Sequence, residues 1–185
     1  MITALNMTGR IAQLLCAGLM VAAARAPLRE PGKVDLKVSV LGERERPDGS
    51  WEGSDLFARP DARPSRFQLT VHSERDVTLS IDAKLPDGTR EQIFPEPGRL
   101  GVLGHGQTYA LPGPNAFYAL EGSVELEVRA TPMHAAGLAT PTVVRVEKLE
   151  PGPLLNLSDG ARVPVQQARL FSSGPLRLDL ALSSR

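Results

Sequence analysis

An antiparallel, all-β sandwich is the fold this chain predicts, and three observations predict it. Apolar residues alternate with polar ones through Val77, Leu79, Ile81, Ala83 and Leu85, and again through Val124, Leu126, Val128 and Ala130. A period of two sends successive side chains to opposite faces, which is the mark of half-buried strands. Turn sequences separate these runs: Pro86-Asp87-Gly88, Pro112-Gly113-Pro114 and Glu121-Gly122-Ser123. Each has a backbone reason, since Pro presets φ and Gly accepts φ > 0. Finally, no segment past residue 26 carries an apolar stripe at 3.6-residue spacing. Two packed sheets, of Ig-like or Greek-key type, are the simplest way to bury many one-faced strands.

Taken in order, the chain opens on a targeting segment. Arg10 precedes an apolar run from Ile11 to Ala24 that Arg25 closes. The run is shorter than the about 20 residues a helix needs to cross ~30 Å of hydrocarbon, and it suits the core of a signal peptide. Ala22 and Ala24 form a small-x-small cleavage site, which makes residues 1–24 the signal peptide and Arg25 the mature start. The expected location is periplasmic or secreted, in a bacterium; the alternative is a membrane anchor formed by the uncleaved segment. Cys16, the one cysteine, lies in this segment. Cleavage would leave no thiol, and hence neither a disulfide nor a cysteine nucleophile.

Lys33 to Leu41 alternates strictly, with Val34, Leu36, Val38 and Val40 inward. Lys33, Asp35 and Lys37 on the other face are what a solvent-facing or edge strand would carry. Gly42 to Ser65 is polar and rich in Pro and Gly, and reads as a long solvated loop. Trp51 within it is expected to fold back as a lid on the core. The central stretch runs from Phe67 to Pro132. Beyond it, Thr142 to Lys148 reads as a strand that Pro151-Gly152-Pro153 breaks. Val163-Pro164-Val165 with Ala168 to Phe171 reads as a bent or edge strand, because Pro164 cannot donate to a ladder. Leu176, Leu178, Leu180 and Leu182 alternate as clearly as anything in the chain. The expected organisation is a sandwich domain over residues 25–132. Residues 133–185 form a C-terminal β extension packed on the domain or on a partner.

The order of short motifs resembles the DUF4384 family over roughly residues 35–132. Asp87-Gly88 follows a hydrophobic strand, and the next strand ends in Ile93-Phe94-Pro95; Gly106-Gln107 and Leu111-Pro112 follow in the family's order. Gly122 to Pro132 matches its later turn-and-strand feature. Asp48-Gly49-Ser50-Trp51 and Gly53-Ser54-Asp55 match its glycine-aspartate lead-in. The resemblance implies a β-sandwich module of the kind found on bacterial envelope and signalling proteins. It implies no chemistry, because the family is a domain of unknown function.

Composition narrows the function classes. Lys+Arg and Asp+Glu number 21 each, so no net charge draws the chain to nucleic acid or anionic lipid. Aromatic residues make up 4%, so carbohydrate platforms and stacking surfaces for single-stranded nucleic acid are poorly supplied. His72, His105 and His134 show no His-x-His, HExxH or cysteine partner, so no metal site is expected. Gly101 to Gly106 lacks the strand–GxxxxGK[ST]–helix context of a phosphate loop and reads as a crossover turn. Glu125 and Glu127 share one strand face and read as a solvated surface rather than a glycosidase pair. No catalytic residue and no cofactor site is assigned, and the chain is read as not an enzyme.

The expected function is a non-catalytic interaction or assembly module of a bacterial cell-envelope or secreted complex. Its partner would be another envelope protein or a larger assembly, with no nucleic acid and no membrane insertion after signal cleavage. The alternative is a ligand-sensing or carbohydrate/peptidoglycan-binding domain related to regulatory envelope proteins. The candidate binding surface is Trp51, Tyr109, Phe117 and Tyr118. A pocket lined by these aromatics would favour the alternative, and a flat apolar patch or an open sheet edge would favour the module.

Overall fold

Strand alternation does build two sheets. The computed structural model describes residues 32–133 and 139–184, and no helix occurs among them. The expected leader, its cleavage site and His134 all lie outside the described residues. The seven-stranded sheet, A, contains β1 (Val34–Glu45), β2 (Trp51–Asp55), β3 (Arg66–Ser73), β7 (Thr108–Leu111), β8 (Tyr118–Ala119), β11 (Leu149–Asn156) and β12 (Arg162–Ser172). The six-stranded sheet, B, contains β4 (Val77–Lys84), β5 (Arg90–Phe94), β6 (Val102–Leu103), β9 (Ser123–Pro132), β10 (Thr142–Val144) and β13 (Leu176–Ser183).

Sheet A runs β11–β12–β1–β3–β7, and sheet B runs β10–β13–β9–β4–β5. Two long strands each take two partners in succession along one edge. The first half of β1 pairs with β12 and its second half with β2, while β3 pairs with β7 and then β8. The chain passes between sheets through short connections such as Glu74–Asp76 and Ser173–Pro175, so neighbours like β1/β12 and β4/β9 are far apart in sequence. Pairing is antiparallel except at one place, where β10 runs parallel to β13.

The core lies between the sheets and matches the inward positions of the alternation. Val34, Leu36, Val38 and Val40 of β1 meet Leu79 and Ile81 of β4 and Leu126 and Val128 of β9 in one cluster, all within 1% of complete burial. Each such side chain contributes about 1.5–3 kcal/mol by leaving water. Ala168 and Leu170 of β12 and Leu176 and Leu178 of β13 belong to the same cluster. Strands from both sides of residue 132 therefore share one core within the unit Pro31–Arg185. The strands after residue 140 form no separate layer: β12 sits between β11 and β1, and β13 between β10 and β9.

Several local expectations are corrected. β1 is an interior strand, and its outward charges are paired: Asp35 with Arg169 and Lys37 with Glu74. The long solvated loop expected over residues 42–65 shrinks to residues 56–65, because β1 continues to Glu45 and turns through residues 46–50 into β2, which ends at Asp55. The strand expected over residues 142–148 ends at Val144, and Pro151-Gly152-Pro153 is a bulge within β11 rather than a break. A bulge is how an edge strand absorbs residues that cannot hold its ladder. Pro164 lies inside β12 and not on an edge strand. β12 pairs with β1 only over residues 168–172, so at Pro164 no N–H toward β1 is required.

Candidate functional site

The outer face of sheet A can be read off its register, row by row. One row carries Thr108 of β7, His72 of β3, Lys37 of β1 and Arg169 of β12. The next carries Ala110, Thr70 and Ser39. Leu41 and Gln68 follow, then Glu43 with Arg66 and Gly53, and last Trp51 with Glu45.

The last rows are covered. The β11–β12 hairpin folds over them, so that Leu41, Leu157 and Val165 form a second small core with Trp51, Phe117, Leu155 and Val163 around it. Gly53 permits this approach, because a Cβ there would lie 2.6 Å from Leu157 Cδ2. Under the hairpin the Glu43 side chain is fully shut from solvent. It accepts bonds from Arg66 Nε (2.7 Å), the Ser158 amide (2.6 Å) and the Ser158 hydroxyl (2.9 Å). The Arg66 guanidinium also bonds Ser158 Oγ and lies 3.3 Å over the Trp51 ring and 5.2 Å from that of Phe117. Beside this clasp, Gln68 donates to the carbonyls of Gly113 and Ala116, and Asn156 donates to Asn115. Those bonds hold the segment after β7 across the same face.

The expected aromatic surface does not assemble. Trp51 and Phe117 meet around Arg66, but as packing for the buried ion pair. Tyr118 packs on Phe67 at 5.4 Å beside the main core, where burial, with help from Glu91 and Glu96, pushes its phenol pKa up. Tyr109, on edge strand β7, packs with its ring tilted against that of Phe94, 5.4 Å between centroids. Scattered this way, the four form no common pocket.

What remains open is the middle of the face. A groove of about 310 Å³ crosses sheet A, floored by Ser39 and Thr70 and lined by Lys37, His72 and Thr108 on one side. Gly152, Pro153 and Gln167 line it on the other. Every strand of the path from β11 to β7 therefore contributes. The β11 bulge forms a wall because Gly152 sits against β12, where a Cβ would lie 2.6 Å from the Val165 carbonyl. Lys37 Nζ is 2.6 Å from Glu74, and this bond holds the Glu74 carboxyl below the ordinary value of 4.5. His72 sets Nδ1 2.8 Å from Thr108 Oγ1 and Nε2 3.4 Å from Glu74. Thr70 stands apart. It is 6% exposed, and among the described residues its Oγ1 is the buried side-chain polar atom without a hydrogen-bond partner. An unsatisfied buried hydroxyl costs about 1–3 kcal/mol.

No protein-family model, no curated protein and no solved structure matches this chain. The resemblance to DUF4384 therefore stands on its ordered motifs alone.

Other surfaces offer less. The outer face of sheet B is a ladder of paired charges: Lys84 with Glu125 at 3.2 Å, and Glu127 under Arg90, Arg129 and Arg177. Glu127 is 7% exposed, so it is not the solvated group expected, and its arginines occupy it. A depression of about 660 Å³ near Leu120 and Gly122 is wide and shallow, and its Gly122 and Ser184 already bond each other. His105 Nδ1 lies 2.6 Å from the Glu74 carbonyl in the crossover turn, and among the described residues no group of three His, Cys, Asp or Glu could hold a metal ion.

Strand periodicity cannot single out Ser39, Thr70, His72 or Gln167. Outward polar residues on a strand look alike whether water or a ligand covers them. The one hint is that Ser39 and Thr70 are short hydroxyl residues at facing positions of the two longest-buried strands, β1 and β3.

Proposed function

We propose that this protein is a non-catalytic recognition module of a bacterial envelope or secreted complex, and that it binds with the outer face of sheet A. The observation that carries this reading is the groove lined by Thr70, a residue whose buried hydroxyl is without a partner. A buried polar group without a partner calls for an explanation, and a site completed by a ligand is one. Export comes from the sequence pattern at residues 10–26, and the envelope context from the DUF4384 resemblance.

Binding by strand addition is the weaker form of the interaction reading. β11 carries Pro151, Pro153 and a bulge; β10 has three residues; β5 is irregular where it meets Ile81 and Asp82. Prolines, short strands and bulges are the ways in which sheet edges refuse a further strand. The face, unlike these edges, presents convergent polar groups.

A photo-crosslinking amino acid at Gln167, compared with one at Ser80 on the outer face of sheet B, tests this reading in the native envelope. The expected result is a discrete adduct from Gln167 and none from Ser80. Equal labelling from both positions would overturn it.

A further inference from the structure

We infer that the groove on sheet A is a binding site for a neutral, hydroxyl-rich ligand the size of one or two sugar rings, with Thr70 in its floor. The inference rests on the reading of this face as the recognition surface and adds the chemical class of what it recognises.

Charge comes first. An anion site needs a cation that is not already spent, and both candidates are engaged. Lys37 is held by Glu74 at 2.6 Å, and Arg169 makes a two-pronged bond to Asp35 at 3.0 and 2.7 Å. The groove is therefore charge-balanced, and neither phosphate nor carboxylate gains an uncompensated partner in it. A cation finds no free carboxylate there either, because Glu74 is shared between Lys37 and His72.

Hydrogen-bonding character comes next. Ser39, Thr70 and Thr108 supply hydroxyls, Gln167 an amide and His72 an imidazole. Hydroxyl and amide groups both donate and accept, as do the vicinal hydroxyls of a sugar. Thr70 is the decisive member. Its hydroxyl is buried in the rotamer seen, and a turn of about 120° about Cα–Cβ would carry Oγ1 to the place the methyl or the Hβ now holds, in a residue that lines the groove. A ligand hydroxyl above it would give Oγ1 the partner that the protein withholds.

Size and shape agree. A groove of about 310 Å³ lies at the lower limit of small-molecule sites, roughly 300–1,000 Å³. An extended peptide would seek a strand edge or apolar side-chain pockets, whereas this groove crosses the strands and its floor is polar. Pro153 and the His72 imidazole are the rings in the walls, and no Trp, Tyr or Phe lines them. Affinity is accordingly modest, with Kd on the order of 1 mM, which is about 4 kcal/mol of binding free energy.

The test is amide chemical-shift mapping on the full chain, titrated to tens of millimolar with maltose, cellobiose or di-N-acetylchitobiose, and in parallel with inorganic phosphate and a neutral tetrapeptide. At least one disaccharide should shift Ser39, Thr70, Thr108 and Gln167 saturably. Thr70→Val should weaken that binding at least tenfold without lowering the melting temperature, and Ser80→Ala should leave it unchanged. The inference is overturned if no disaccharide shifts these amides, if phosphate or the peptide alone does so, or if Thr70→Val binds as well as wild type. If the sugars fail while Gln167 still forms its specific crosslink, only the ligand class falls. If both fail, the recognition face falls with it.

Discussion

The Glu43 carboxylate, with no exposed surface, accepts a 2.7 Å bond from Arg66 Nε, and Ser158 closes the pair from a hairpin 115 residues downstream. This contact ties β1, β3 and the β11–β12 hairpin together, and so sets where the covered part of sheet A ends and the groove begins. Removing either member leaves the other in a different situation. Arg66 retains 27% of its side-chain exposure and can turn to water, but Glu43 cannot. We expect Arg66→Met to cost about 3–5 kcal/mol, as loss of one partner of a buried pair does. Glu43→Gln, which keeps its shape and an acceptor for Ser158, should cost about 1–3 kcal/mol. The double change Glu43→Leu/Arg66→Met should recover part of the loss. Chemical denaturation of the three variants gives the ordering, and a larger loss for Glu43→Gln would contradict it.

Gly101, just before β6, holds the β5–β6 connection against β4 within sheet B. Leu79 N donates to its carbonyl at 2.6 Å, and a Cβ on residue 101 would fall 2.1 Å from the Leu79 carbonyl oxygen. The neighbour is backbone and cannot yield. Gly101→Ala should destabilise by about 3 kcal/mol through overpacking, lowering Tm by roughly 2–4 °C per kcal/mol. Gly88, at φ +86° with open space around it, meets only backbone strain. Gly88→Ala should cost about 1–2 kcal/mol. Thermal melts of the two compare them directly.

Acid should loosen the groove before it unfolds the sandwich. Lys37 holds Glu74 ionised below the ordinary 4.5, with His72 adding to the effect and His105 bonded to the Glu74 backbone. A depressed folded pKa means the bond contributes in full above about pH 4.5 and is lost as pH falls through the lower folded value. Carbon-detected NMR titration of the Glu74 carboxyl should give a midpoint below 4.5 in wild type. In Lys37→Met the midpoint should move up toward 4.5. Identical midpoints would show that the Lys37–Glu74 bond does not form in solution.

The inner faces were legible because the apolar residues there recur with period two and all are buried: Val34, Leu36, Val38 and Val40 in β1, and Leu126, Val128 and Ala130 in β9. The outer face of sheet A was not. Glu43 and Asp55 look like loop charges in sequence, yet they are 1% and 8% exposed, because a hairpin from the far end of the chain folds over them. That long-range event leaves no periodic trace. Aromatic content pointed to Trp51, Tyr109, Phe117 and Tyr118 as a surface, but their strands carry them to three separate places. The groove was hidden for the opposite reason. Its residues are ordinary outward polar side chains, and only the missing partner of Thr70 marks them out.

The most direct measurement is the yield of the Gln167-crosslinked species from native envelope with wild type and with Thr70→Val. Valine keeps the threonine's shape and removes a hydroxyl that has no partner, so the variant should melt at or above the wild-type temperature. We expect it nonetheless to capture at least tenfold less, because the hydroxyl retained at a cost in stability serves the bound state. Equal capture by the two proteins would contradict the assignment of this face as the recognition site.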